Sequence, residues 1–308
     1  MRGAFVEELT RLAAYDKRVV VLTGDLGYTV LEKFHDLFPS RFYNVGVAEQ
    51  NMVGVATGLA EAGYIPFVYS IATFASLRAY EFIRNGPVWH HLPVRIVGTG
   101  GGFEYGKEGL SHYALEDIGM MRMQPHLMVL SPADWQQAQT MLWKTWHLPQ
   151  PIYYRVSKYE TEPVPNLNGE FEVGRLQLIR EGEKVLVLAM GDLARQAWYG
   201  AMKLKRENIA AGVGVVASVS PPPTKQLREL VKQFRLIVTL EAHYTTGGIG
   251  SLVAETIAET PARCRLIRLG LTRLPRIAIG NEEYMWHKHN FGVNDLVEVV
   301  TRWAKDAD

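Results

Sequence analysis

Tyr43-Asn44-Val45-Gly46-Val47-Ala48-Glu49-Gln50-Asn51-Met52-Val53-Gly54-Val55-Ala56-Thr57-Gly58-Leu59-Ala60 is the stretch whose reading decides the fold. The run Phe42 to Val45 predicts a short strand, and a helix follows from about Ala48 to Ala62, with Gly63 placed to end it. Glu49 stands where strand passes into helix, between Val47, Ala48 and Met52. An acid in a first helical turn is ordinarily a partner for the helix dipole. A carboxyl among apolar neighbours at the carboxyl end of a strand also lies at the crevice where open α/β sheets bind ligands, and burial there raises its hold on a proton.

The same alternation runs outward in both directions. Phe5, Val6, Leu9, Leu12 and Ala13 recur at helical spacing before the apolar run Val19 to Leu22. Downstream come a strand through Ile65 to Tyr69, a helix from about Thr73 to Asn85, a strand Val94 to Gly98 and a Gly-rich loop to about Ser111. A short helix from Tyr113, strand Leu127 to Leu130, helix Ala133 to Trp146 and strand Ile152 to Arg155 complete the first half. Strands alternating with helices predict a parallel sheet covered on both faces. Pro163, Pro165, Asn166, Asn168 and Gly169 interrupt every periodicity, and a linker is expected at 161–172. The pattern then restarts with strands near 185–189, 213–217, 236–240 and 265–269, helices near 193–205 and 225–234, and the turn Gly247-Gly248-Ile249-Gly250 opening another helix. The expected fold is α/β, with two doubly wound domains at 1–160 and 173–308.

Composition excludes several functions. With 308 residues and 47% hydrophobic content the chain can bury full cores, and 33 basic against 32 acidic residues leave no excess charge for nucleic acid or anionic lipid. The single cysteine, Cys264, permits no internal disulfide, so a reducing, cytoplasmic setting is expected. Glu7 and Glu8 interrupt any signal-peptide apolar stretch, and no run approaches the ~18 apolar residues of a membrane span.

Two further segments carry chemistry-bearing residues. In Pro66-Phe67-Val68-Tyr69-Ser70-Ile71-Ala72-Thr73-Phe74 and the following Leu77-Arg78-Ala79-Tyr80-Glu81, the aromatic faces of Phe74 and Tyr80 suit a flat heteroaromatic ring. Phe74, Leu77 and Tyr80 also read as a core stripe at i, i+3 and i+6. The loop from Gly98 to His112 has glycines that permit sharp bends or a close backbone approach to a ligand. His112 closes it, as a surface residue or as a group able to move protons near neutral pH.

Together these segments resemble the transketolase family over nearly the whole chain, matching its central pyrimidine-binding domain and its C-terminal domain. The resemblance implies thiamine diphosphate as cofactor, with a glutamate at the position of Glu49 bonding N1′ of the aminopyrimidine and promoting the imino tautomer that generates the thiazolium ylide. The protein then supplies mainly orientation and proton tuning. It implies that Phe74 stacks on the pyrimidine, that Tyr80 lies nearby and that Asp25 is near the cofactor, although a turn or capping role explains Asp25 as well. Gly109-Leu110-Ser111-His112 is similar to the family's Gly-Pro-Thr-His, whose histidine reaches the reacting carbons. Glu108 stands where sugar-phosphate transketolases usually carry aspartate, and Gly100 stands where they carry a phosphate-binding histidine, twelve residues before His112. Arg2 and Arg155 match positions associated with substrate phosphate, a contact suited to guanidinium, and either is equally explained as a solvated surface residue. His243, in Glu241-Ala242-His243, is a candidate to approach the site from the second domain.

The family's diphosphate and Mg²⁺ site, a Gly-Asp-Gly motif with a later asparagine, has no counterpart here. Gly24-Asp25-Leu26 and Gly191-Asp192-Leu193 both lack the third glycine, and the sequence presents no carboxylate cluster suited to octahedral Mg²⁺. A separate diphosphate-binding subunit, in an α2β2 assembly, is therefore implied. The expected activity is transfer of a two-carbon ketol unit from a ketose to an aldehyde acceptor. The alternatives are the β component of a 2-oxoacid decarboxylase, a deoxyxylulose-phosphate-synthase-like enzyme, or a scaffold that keeps the fold without catalysis.

Overall fold

The computed structural model describes residues 1–160, 162–274 and 279–307; Thr161, the first residue of the expected linker, lies outside them. The strands in chain order are β1 (Val19–Thr23), β2 (Phe42–Asn44), β3 (Ile65–Ile71), β4 (Arg95–Thr99), β5 (Met128–Leu130), β6 (Ile152–Val156), β7 (Gln177–Arg180), β8 (Val185–Ala189), β9 (Ala211–Val215), β10 (Ser218–Ser220), β11 (Leu236–Tyr244) and β12 (Arg265–Leu271). They form one sheet in the order β10-β5-β6-β4-β3-β1-β2 and a second in the order β12-β11-β8-β9-β7. Pairing is parallel except at two edges, where β10 runs antiparallel to β5 and β7 antiparallel to β9.

The inner strands β1, β4, β6, β8 and β9 are buried at every position, as expected for sheets covered on both faces. The helix Arg2–Tyr15 shows how the cover is made. Phe5, Leu9 and Leu12 face the sheet and are fully buried, each worth about 1.5–3 kcal/mol in removed apolar surface.

Three features depart from the sequence reading. The helix expected over 73–85 is interrupted: Phe74–Arg78 and Arg84–Val88 are wide π-helical turns on either side of an α-turn at Tyr80–Ile83. Those turns shift the phase of the apolar face, so the fully buried row is Ala75, Ala79 and Ile83, while Phe74, Leu77 and Tyr80 are only half-buried. No helix starts at Tyr113; a 3₁₀ turn spans Leu110–His112 and an α-helix begins at Asp117. The segment expected as a linker is irregular but packed, with Val164, Leu167 and Phe171 buried and Val164 N–H donating to Asp134 Oδ2 at 2.7 Å.

The two halves interlock. β10 crosses from the second half to edge the first sheet. Arg122 donates to Gly247 O at 3.1 Å and to Glu255 Oε2 at 2.7 Å, and Tyr244 N–H donates to Leu115 O at 2.8 Å.

Candidate active site

Parallel pairing of β1, β3 and β4 brings their carboxyl ends to one edge of the sheet. From that edge emerge the Gly24–Asp25 turn after β1, the Phe74 turn after β3 and the Gly-rich loop after β4, while β2 leads into the helix Glu49–Glu61. This is the crevice position at which open α/β sheets hold ligands.

Glu49 is 3% exposed. Its Oε1 lies 3.4 Å from Ser70 Oγ, and Arg78 Nη1 reaches both carboxylate oxygens, at 3.3 and 3.2 Å. The Arg78 guanidinium lies over Phe74, with Cζ 3.7 Å from the ring centroid. His112 meets the Phe74 ring edge to face at 5.1 Å between centroids, and its Nδ1 lies 2.9 Å from Ser111 Oγ. Glu49, Arg78, Phe74 and His112 therefore form one continuous array drawn from three segments. Gly24 allows the β1 turn to close against it, since a Cβ there would stand 3.2 Å from Gly46 O and 3.8 Å from Glu49 Oε1.

Around this array the other expected residues have distinct surroundings. Asp25 is exposed, with a positive φ of 58°; its Oδ1 accepts from Tyr28 Oη at 3.1 Å and Asn44 Nδ2 at 3.3 Å. Asn44 Oδ1 in turn accepts from the N–H groups of Asp25 and Gly46, tying the two turns together. Tyr80 is engaged with the next helix, donating to Met120 O at 3.0 Å and accepting from Gln124 Nε2 at 2.5 Å. Glu108 is exposed on the loop.

Gly100 has φ +78°, and a Cβ there would stand 2.1 Å from the Tyr105 ring. The Tyr105 ring fills the space in which a histidine side chain would sit, and Lys158 Nζ lies 3.9 Å over that ring. Arg2 is half-buried close to Tyr69 and Tyr105. Burial pushes the Tyr69 phenol up to about 12 against the opposing positive charge of Arg2.

Arg155, expected toward substrate phosphate, is spent inside the protein. It is 6% exposed, its Nε lies 3.0 Å from Asp117 Oδ2, and its Nη2 donates to Ala114 O at 2.8 Å and Ala242 O at 2.9 Å. A guanidinium on a central strand, facing the second half, has no solvent to solvate it and is paired internally instead. His243 is likewise buried at the junction. Its Nδ1 donates to Tyr244 O at 2.7 Å and its Nε2 accepts from Gly119 N–H at 3.1 Å, so the ring is neutral with the proton on Nδ1. Burial lowers its proton affinity.

A carboxylate cluster that the sequence did not reveal gathers at the same junction. Glu104, Asp192 and Glu282 place ligand atoms within 4.8 Å of one another. Burial raises all three pKa values, with Glu104 pushed up to about 8 while accepting from Lys158 N–H and Ser157 Oγ. Burial favours the protonated form of each, and among the described residues these three place acid oxygens close enough to share one cation.

The residue that sequence spacing passed over is Arg78. Its signal lies in the chemistry of its neighbours, a buried acid and an aromatic face, which only the wide 74–78 turn brings within reach.

Comparison with known proteins identifies both halves of the chain. The model of the transketolase pyrimidine binding domain matches residues 1–163, and that of the transketolase C-terminal domain matches residues 174–282. A Methanocaldococcus jannaschii protein named as a transketolase C-terminal section is 36% identical over 275 residues, covering 88% of this chain and 86% of the relative. A Phocaeicola vulgatus protein named as a subunit of apulose-4-phosphate transketolase is 31% identical over 268 residues, covering 86% of each. A solved structure described as a split gene transketolase, inactive beta4 tetramer, superposes with a TM-score of 0.87 at 33% identity, over 98% of this chain and 96% of that one. Through both of its halves, this chain belongs to the transketolase family.

Proposed function

We propose that this chain is the pyrimidine-binding subunit of a two-component, cytoplasmic transketolase that moves a two-carbon ketol unit from a ketose to an aldehyde. The observation that carries the reading is the buried Glu49 carboxylate joined through Arg78 to the face of Phe74, with His112 on the edge of the same ring. A flat, nitrogen-bearing ring fits there, because a flat N–H donor, the Arg78 guanidinium, already makes both contacts. Thiamine diphosphate, when bound, supplies the nucleophilic carbon that takes up and passes on the two-carbon unit.

In this reading Glu49 hydrogen-bonds the pyrimidine N1′ from a buried position, where such a contact is electrostatically stronger than in water. Phe74 orients the ring by stacking. His112 moves protons at the substrate oxygens, and Glu108 and Arg2 read the sugar from the loop and the first helix. Tyr80 and Asp25 act at one remove, through Met120 and through the Asn44-linked turns. The division into 1–160 and 173–308 is that of a pyrimidine-binding and a C-terminal domain joined by 161–172.

A separate subunit holds the diphosphate and its Mg²⁺, in an α2β2 assembly. Neither Gly-Asp pair of this chain carries the motif's third glycine: Asp25 is turned to Tyr28 and Asn44, and Asp192 stands beside Glu104 and Glu282. Relatives named as a section or a subunit support the same division. The test is reconstitution with the diphosphate-binding subunit, followed by assay with ketose donors and, separately, with pyruvate. Ketol transfer without carbon dioxide release is expected; carbon dioxide release from pyruvate alone would assign the chain to the 2-oxoacid decarboxylases instead.

A further inference from the structure

Arg78 makes both contacts that the proposed function gives to the cofactor's aminopyrimidine. Its planar guanidinium lies 3.7 Å above the Phe74 centroid and donates to both oxygens of Glu49. A guanidinium and a pyrimidine cannot share that face at stacking distance. The two ends of the pair also differ in their freedom: Glu49 is 3% exposed, whereas the Arg78 side chain is 45% exposed. Arg78 can swing into solvent without disturbing the core, while Glu49 cannot.

The physical demand behind the pairing is plain. A buried carboxylate without a partner costs far more than an exposed one, so the free subunit needs a hydrogen-bonding cation at Glu49 whenever the cofactor is absent. The wide turn Phe74–Arg78 supplies one by letting the arginine fold back over the ring four residues earlier.

We propose that Arg78 is a built-in stand-in for the cofactor ring: it closes the Phe74–Glu49 site in the cofactor-free subunit and is displaced when thiamine diphosphate seats. This rests on the proposed function and adds to it a regulation of the same site. Cofactor binding becomes an exchange of one planar nitrogen donor for another. The buried acid is never left unpaired, and the free subunit is protected from other flat ligands.

The experiment uses the full chain and the reconstituted assembly, titrated with thiamine diphosphate and Mg²⁺, in wild type, Arg78→Ala and Arg78→Lys. A stand-in predicts that Arg78→Ala tightens the cofactor Kd by about five-fold, the worth of one lost competing stack at a half-exposed site. It also predicts a lower Tm for the cofactor-free Arg78→Ala subunit than for wild type, with no difference between the two once the assembly is saturated with cofactor. Arg78→Lys, which keeps the charge but loses the planar stack, should fall between them. Saturable binding that is unchanged or weakened in Arg78→Ala, or an equal loss of Tm in free and saturated forms, overturns the stand-in and leaves the functional reading in place. No saturable binding by the wild-type assembly would overturn both.

Discussion

The rings of Phe74 and His112 meet edge to face with centroids 5.1 Å apart, joining the turn after β3 to the end of the Gly-rich loop. The contact sets His112 at the rim of the surface proposed for the pyrimidine. Replacing His112 by Ala is expected to lower kcat of the reconstituted assembly by about 10²–10³-fold, the usual worth of a positioned acid–base group. Cofactor affinity should hold, because Phe74 and Glu49 remain. Steady-state kinetics beside a cofactor titration checks this, and retained kcat would remove His112 from the chemistry.

Glu49→Gln is nearly isosteric but cannot exchange a proton at its own side chain. Turnover with a ketose donor should fall by about 10²–10⁴-fold. Far-UV circular dichroism should show the fold intact, since an amide still hydrogen-bonds Ser70. Unchanged turnover would leave the subunit as a scaffold.

Arg155 and Asp117 are 6% and 0% exposed, so breaking their pair strands a buried charge. Arg155→Met is expected to cost about 3–5 kcal/mol in denaturant unfolding, and Arg155→Met with Asp117→Leu should recover much of it. If Arg155 instead served substrate phosphate, the single variant would keep its stability and raise KM for a phosphorylated donor.

Glu104 gives the junction a pH dependence of definite sign. Its folded pKa, about 8, lies above the ordinary 4.5, chiefly through burial and next through neighbouring Asp192. The native state thus holds a proton that the unfolded chain releases. The stability contributed is full below about pH 4.5 and is lost as pH rises through about 8. Tm measured from pH 6 to pH 9 should therefore fall less in Glu104→Gln than in wild type. An identical slope in the two would show that Glu104 does not titrate there.

Much of this fold was legible because burial on both faces writes apolar runs such as Val185–Ala189, whose limits match the strand found. The edge strands β7 and β10 were not. β7 alternates in burial, and β10 takes its register from Leu130 and Val129 of the other half, a partner no local pattern encodes. The core stripe after β3 was misphased because spacing rules assume a regular helix, and two wide turns replace it.

By itself the sequence determined the alternation of strand and helix, the place of Glu49 at a strand's carboxyl end, and the absence of a Gly-Asp-Gly motif, since each depends on neighbours along the chain. Only the tertiary structure decided which cations serve which acids. It turned Arg155 inward to Asp117, laid Arg78 across Phe74 onto Glu49, and gathered Glu104, Asp192 and Glu282 from separate elements. Charge pairing acts through space over a few ångströms, and residues that close can stand anywhere in the sequence.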